Sequence, residues 1–173
     1  FGIDQAAHRG ALAGDGPTVA VLACGVDRAY PAAHKRLLDH LADHGAVVSE
    51  LAPGCAPTLL RFLARNRVIA ALARGTVVVE AAPRSGSLIT ARLAAEAGRE
   101  VMAVPGSPLD PRAQGCNLLI RDGATLIQTA ADVVESIRLS APRVASPPPV
   151  AFGGEGPVEA PESLRETVET LLG

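Results

Sequence analysis

The chain has 173 residues, 48% of them hydrophobic and 20% charged, so it is long enough for one domain of about 130 to 150 residues and is not predominantly disordered. Only 2% of the residues are aromatic, which counts against folds that bind single strands through several stacking rings. Sixteen basic and eighteen acidic side chains give a net charge of −2, so any attraction to nucleic acid must be local.

Helical and strand patterns alternate from the start of the chain. Continuous apolar runs rich in β-branched residues predict strands, and amphipathic segments that end at glycine predict the helices between them. In chain order the predicted elements are a helix at 4–14, a strand at 18–24, a helix at 31–44, a strand at 46–50, a helix at 57–74, a strand at 76–80, a helix at 87–97, a strand at 100–104, a short helix at 115–122, a strand at 125–128 and a helix at 130–138. Apolar strands separated by helices predict a doubly wound α/β fold with a parallel sheet.

The domain organisation follows from this pattern and from a change in composition. We expect residues 1–140 to form the α/β domain, and because its first helix has no strand before it, we expect a strand of the sheet to lie upstream. Residues 141–160 are rich in proline and glycine and are predicted to be a linker. Residues 161–173 look like the opening helix of another small module.

Cysteine usage and hydropathy predict a cytoplasmic location. Cys24, Cys55 and Cys116 are odd in number and form no CxxC pattern, so reduced thiols are expected. No basic and apolar leader begins the sequence, and no charge-free apolar run approaches the roughly 18 residues that a membrane helix needs.

Ligands of doubly wound folds bind beyond the carboxyl ends of the strands, so the loops there are the places to search. The loop after the strand at 76–80 contains Ser85-Gly86-Ser87 at the start of the next helix. Its amides and hydroxyls could bind a phosphate. The alternative is that one serine is only an N-cap.

The strongest electrostatic feature is a cationic segment. Residues 51–95 carry six arginines and one acid, Glu80, and residues 51–79 contain no carboxylate. Solvated helix faces usually mix both signs of charge, so this pattern favours a bound anion over a merely solvated face. The two helices of the segment flank one strand, so its arginines are expected to form one patch near the end of that strand.

Within this segment, Arg61 and Arg65 lie four residues apart and share a helical face, whereas Arg67 lies about 200° around the helix from Arg65. The three can converge on one phosphate only if the helix begins near Leu63.

Two neighbours of these arginines add to the candidate site. Phe62 is the sole aromatic residue between Tyr30 and Phe152, so it either stacks on a base or belongs to the core. Asn66 lies between two arginines and is unusual for a merely solvated helix.

Signatures of catalysis are absent. The sequence has no GxxxxGK[ST], GxGxxG, HExxH or GxSxG motif. His40 and His44 are four residues apart, but no third ligand accompanies them, so surface histidines are favoured over a metal site. We therefore expect no enzyme activity, metal or cofactor.

Several strings, in order, resemble the DNA-processing protein A family (DprA or Smf) over residues 1 to about 138. The matching strings are Gly2-Ile3-Asp4 with Ala7-His8, Val21 to Asp27 with Tyr30-Pro31, Ser49-Glu50, Phe62 with Arg65-Asn66-Arg67-Val68-Ile69-Ala70, Val79-Glu80-Ala81, Ser85-Gly86-Ser87-Leu88-Ile89-Thr90-Ala91, Val104-Pro105-Gly106, and Gly115-Cys116-Asn117-Leu118-Leu119-Ile120 with Gly123-Ala124.

The resemblance implies a Rossmann-like fold that binds single-stranded DNA without sequence preference, forms a homodimer and helps to load the RecA recombinase during natural transformation. It carries DNA binding onto Arg65, Asn66 and Arg67, onto Ser85-Gly86-Ser87, and more weakly onto Phe62, Arg61 and Asn117. It also makes residues 161–173 similar to the start of a winged-helix module. Leu63 stands where the family usually has proline, so an earlier helix start and a less exposed Phe62 are expected.

Two other classes of function compete with DNA binding. The first is a nucleotide hydrolase like the lysine-decarboxylase-like phosphoribohydrolases, in which Glu80 and the Ser85-Gly86 turn would hold a mononucleotide. Those enzymes usually carry a PGGxGTxxE string, whereas this chain has EAAPRSGSLITA. The second is a scaffolding domain, which would bind no oligonucleotide.

Overall fold

The order and type of the predicted elements are confirmed in a computed structural model, which describes residues 2–139. The elements are α1 (Ile3–Ala13), β1 (Val19–Val21), a 3-10 turn (Ala32–His34), α2 (Lys35–His44), β2 (Ala46–Val48), α3 (Leu59–Leu72), β3 (Gly75–Val78), α4 (Gly86–Glu96), β4 (Glu100–Ala103), α5 (Gln114–Arg121), β5 (Thr125–Leu126) and α6 (Ala130–Leu139). The predicted linker at 141–160 and the predicted module at 161–173 lie outside the described residues.

The five strands found in residues 2–139 all pair in parallel, which confirms the α/β class. They form two hydrogen-bonded groups, β1–β2 and β3–β4–β5. Val19 pairs with Ala46 in the first group, and Gly75 pairs with Glu100 in the second. Within residues 2–139 no strand ladder joins β1 to β3, so the described part of the chain differs from the single continuous sheet that the alternating pattern predicts.

Small apolar side chains form the core around β3 and β4. Ala91 of α4 and Cys116 of α5 pack against Val78 and Ala103 and are almost fully buried. Leu41 and Met102 are among the largest side chains that are fully buried. Because alanine occupies many of the contact positions, the helices can approach the strands closely, as the aliphatic composition of the chain requires.

Side-chain caps fix where the helices at the carboxyl ends of the strands begin. Thr58 precedes α3, and its hydroxyl accepts a hydrogen bond from the backbone N–H of Arg61 at 3.4 Å. Ser85 caps α4 in the same way through the N–H of Ser87 at 3.3 Å. Helix α3 thus starts four residues before Leu63, as expected from the missing proline, and Phe62 lies in its first turns.

Helix α1 is attached beside the start of β1 by a partly buried polar contact. The Nδ1 atom of His8 lies 2.7 Å from the hydroxyl of Thr18. Burial lowers the pKa of His8, and the nearby carboxylate of Asp4 opposes that shift. Burial therefore favours the neutral imidazole. None of the helices described here has the length and apolar character needed to cross a bilayer.

Candidate functional site

Arg65 lies at the carboxyl end of β1. Its Nη1 donates a hydrogen bond to the carbonyl of Val21, the last residue of that strand, at 2.5 Å. Its Nε donates to the side-chain oxygen of Asn66 at 3.3 Å. Partial burial lowers the pKa of the Arg65 guanidinium, but arginine titrates so high that the group remains charged at neutral pH. A positive charge is thus fixed at the edge where doubly wound folds bind ligands.

An aromatic pair borders this charge. The guanidinium carbon of Arg65 lies 5.6 Å from the centroid of the Phe62 ring, within the range of a cation–π contact. The Phe62 ring is 5.8 Å from that of Tyr30, at an angle of 54°. Phe62 is half-buried, whereas Tyr30 is 54% exposed. Tyr30 is therefore the more accessible ring, although the sequence alone does not predict it as part of the site.

Arg67 is held by an ion pair with Glu50, just beyond the end of β2. Its Nη2 lies 2.6 and 2.8 Å from the two carboxylate oxygens. The side chains are 61% and 52% exposed, and such exposed pairs are worth only about 0 to 1 kcal/mol. The acid-free segment begins one residue after Glu50, so a count of charges within that segment misses this partner.

The other polar residues of α3 position the helix and Arg65. The guanidinium of Arg61 donates to the carbonyl of Ala56, in the loop before the helix. The Asn66 side chain is buried, and its oxygen accepts the bond from Arg65 described above. Asn66 thus orients an arginine and is not open to a ligand in this arrangement.

The start of α4 presents polar groups at the carboxyl end of β3. The hydroxyl of Ser85 donates to that of Ser87 at 3.2 Å, and both Gly86 and Ser87 are exposed. Gly86 is the first residue of the helix, so no carbonyl within the helix can accept a hydrogen bond from its backbone N–H. Arg84 is exposed and has no hydrogen bond or ion pair with residues 2–139. We therefore add Arg84 to the candidate site. From the sequence, Arg84 is expected only to contribute to the positive charge of residues 51–95.

Asn117 holds the loop that follows β4. Its side-chain oxygen accepts from the N–H of Gly106 at 3.2 Å, and its side-chain nitrogen donates to the carbonyl of Gly106 at 3.0 Å. Both ends of the amide are thereby used by one backbone unit. This geometry fits a residue that shapes the loop.

The six arginines of the cationic segment do not all gather at one edge, contrary to the single patch expected from the sequence. Arg74 immediately precedes β3, so it lies at the opposite end of that strand, where its guanidinium donates to the carbonyl of Ile137 at 3.1 Å. Arg92 is exposed within α4. Spacing along a helix does not reveal which end of the strand an arginine will reach. The remaining arginines lie near the carboxyl ends of the strands, namely Arg61, Arg65, Arg67 and Arg84.

The loops after β1 and β2 are joined by hydrogen bonds. The carboxylate of Asp27 accepts from the N–H of Gly54 at 2.9 and 3.0 Å. The N–H of Gly25 donates to the carbonyl of Cys55 at 3.0 Å. The hydroxyl of Ser49 donates to the carbonyl of Cys24 at 2.8 Å. These bonds fix the segment that leads to Tyr30 relative to the segment that carries Glu50.

The loop after β3 is attached to α5. The N–H of Ala81 donates to the carbonyl of Arg112 at 2.9 Å, and the N–H of Gly115 donates to the carbonyl of Ala81 at 2.8 Å. The carboxylate of Glu80 lies 3.8 Å from the guanidinium of Arg112. Glu80, which a nucleotide hydrolase would require, is therefore engaged by an arginine here.

In residues 2–139 no three His, Cys, Asp or Glu side chains are grouped so as to bind a metal.

Comparison with known proteins places this arrangement in a family. The family model of DNA recombination-mediator protein A matches residues 1–138. The chain is 50% identical over 133 residues to DNA processing protein DprA of Streptococcus pneumoniae, covering 77% of this chain and 47% of that protein. It thus spans about half the length of that relative.

Solved structures of DNA processing protein A resemble the fold. The crystal structure of DprA from Streptococcus pneumoniae aligns with a TM-score of 0.73 at 49% identity, covering 78% of this chain and 47% of that one. A structure of DNA processing protein A from Helicobacter pylori, described in terms of its single-stranded DNA binding mode, aligns with a TM-score of 0.63 at 28% identity. That match covers 70% of this chain and 56% of the other.

Proposed function

We propose that this chain, which belongs to the DNA recombination-mediator protein A family, binds single-stranded DNA without sequence preference at the carboxyl ends of β1 and β3. The observation that carries the proposal is the arrangement at the end of β1, where Arg65 is fixed against Phe62 and the Phe62 ring lies against that of Tyr30. The fixed guanidinium offers a group for a phosphate, and the exposed Tyr30 ring beside Phe62 offers a surface for a base.

The individual contacts follow from the chemistry of each group. Arg65 and Arg67 would bind phosphates through their guanidinium forks, Arg67 by exchanging Glu50 for the ligand. The start of α4, with Ser85, Gly86 and Ser87, would bind a further phosphate through its free amide and hydroxyls. Arg84 would add charge there, and the Tyr30–Phe62 pair would contact a base. None of these groups reads a base edge, which accounts for the lack of sequence preference.

A fluorescence-anisotropy titration of a dT oligonucleotide at two salt concentrations tests the proposal. If about three phosphates are neutralised, log affinity should fall by about 2 units for each tenfold rise in salt. An oligonucleotide of mixed sequence should show the same dependence. Absence of salt-sensitive binding to either strand would refute the proposal and favour a scaffolding domain.

Replacing Glu50 should strengthen binding. Glu50→Gln releases Arg67 and removes a negative charge from the site, so the affinity for the dT oligonucleotide is expected to rise about three- to fivefold. Asp122→Asn is the matched control, because it makes the same change of charge on an exposed residue just before β5, at the other end of the strands. Equal affinities of Glu50→Gln and the native chain in the same titration would show that Arg67 contacts no phosphate.

The finer roles of the whole protein are also proposals. We infer from family membership that the protein has no enzyme activity, acts in the cytoplasm as a homodimer, and helps to load RecA onto single strands during DNA uptake. Because the chain spans about half of its DprA relative, the partner surfaces are best tested in the full-length protein.

A further inference from the structure

A second concentration of positive charge lies in a groove between α1 and α2. The groove has a volume of about 380 Å³ and is lined by Arg9, Leu12, Arg36, Leu37 and His40. None of these residues belongs to the site at the carboxyl ends of the strands. The groove therefore has to be explained separately.

The two arginines of this groove are not bonded to an acidic side chain in the described part of the chain. Within residues 2–139 neither Arg9 nor Arg36 makes a hydrogen bond or an ion pair. Asp39, three residues after Arg36, is engaged by Lys35 at 2.8 and 2.9 Å. Two unpaired guanidiniums that line one groove repel each other, and a bound anion would relieve this repulsion.

His40 extends the cationic face. Arg36 and His40 are four residues apart on α2, so their side chains lie on the same face of that helix. A second depression, lined by Leu12, Asp15, Gly16, His40 and His44, adjoins the groove. Since Asp15 is the carboxylate in that lining, an anion is favoured at the Arg9 and Arg36 side of His40.

We propose that the groove between α1 and α2 binds a phosphate group through Arg9, Arg36 and His40. Two guanidiniums and an imidazole N–H that line one groove offer several donors to the oxygens of a phosphate. Leu12 and Leu37 supply the apolar part of the lining. Unpaired arginines repel a metal ion, so the preferred ligand is anionic.

Isothermal titration of the 173-residue chain with pyrophosphate at low ionic strength tests this site. The double variant Arg9→Ala/Arg36→Ala is expected to lose at least tenfold in affinity. The matched control is Arg92→Ala/Arg121→Ala, which removes two exposed arginines outside the groove and should stay within twofold of the native chain. Thermal unfolding midpoints of both variants verify that they fold. Equal losses in the two double variants, or no saturable binding by the native chain, would overturn the proposal.

A third variant separates this site from the DNA site. Pyrophosphate binding that is lost in Arg65→Ala but retained in Arg9→Ala/Arg36→Ala would also overturn the proposal, whereas the reverse pattern supports it even if no oligonucleotide binds. The dT titration distinguishes a phosphate of a nucleic-acid strand from that of a small compound. A smaller salt slope in Arg9→Ala/Arg36→Ala would assign the groove to a nucleic-acid strand, and an unchanged slope would assign it to a small phosphate compound.

Discussion

Arg65→Ala is expected to reduce the affinity for a dT oligonucleotide at least tenfold, equally for all base sequences, and to lower the salt slope by about 0.7. The variant removes a positive charge at the end of β1 together with the group that lies against Phe62. It also leaves the carbonyl of Val21 without this donor, which costs about 1 to 3 kcal/mol of stability where the site excludes water. Anisotropy and thermal unfolding together measure both effects.

Two companion variants separate charge from geometry. Arg65→Lys keeps the charge but loses the planar fork, so it should restore most of the salt slope and only part of the affinity. Arg67→Ala removes a side chain that an exposed carboxylate already engages, so its loss of affinity should be smaller than that of Arg65→Ala. A salt slope that is unchanged in both alanine variants would rule out phosphate contacts by α3.

Gly115→Ala is expected to destabilise the fold by about 2 to 4 kcal/mol. A Cβ atom at Gly115 would lie 2.5 Å from the carbonyl oxygen of Ala81 and 3.0 Å from its carbonyl carbon. The same oxygen accepts the hydrogen bond from the Gly115 N–H, so α5 must move away from the loop and weaken that bond. Overpacking costs about 1 to 3 kcal/mol and a lost hydrogen bond about 1 kcal/mol. Denaturant unfolding measures the total.

The matched control for this prediction is Gly10→Ala in α1. A Cβ at Gly10 meets no atom within 4 Å, so the substitution should stabilise the chain by about 0.5 to 1 kcal/mol through helix propensity. Equal unfolding free energies for Gly115→Ala and the native chain would mean that α5 can shift without loss.

The elements of the fold were predictable because local signals agree with the tertiary structure. The apolar run at residues 76–80 and the glycines that follow the helices place strands and helices within a few residues of their observed bounds. The observed strands are shorter than the predicted ones. Strand β1 ends at Val21, and Leu22 to Cys24 lead into a loop in which the N–H of Gly25 bonds to the carbonyl of Cys55. Whether β1 and β3 share a ladder depends on contacts between distant segments, which periodicity does not encode.

The site was predictable in its location and less so in its contacts. An earlier start of α3 follows from the absence of proline at Leu63, which is visible in the sequence, whereas the capping role of Thr58 emerges from the structure. The partner of Arg67 is 17 residues away, in the loop that follows β2. Arg74 points to the other end of β3 because the helix that precedes it runs back across the sheet. The use of Asn117 as a clamp depends on the fold of the loop after β4, which no motif specifies.

The hydrogen bonds that join the loops after β1 and β2 have a thermodynamic consequence. A strand that docks at this edge meets segments whose main chains already hold one another, through Asp27 with Gly54 and through Gly25 with Cys55. When loops become ordered only on binding a ligand, their loss of conformational entropy offsets part of the interaction free energy. Here that entropy is already lost when the chain folds, so binding is expected to leave these two loops almost unchanged. The conformational entropy lost on binding is then mainly that of the single strand.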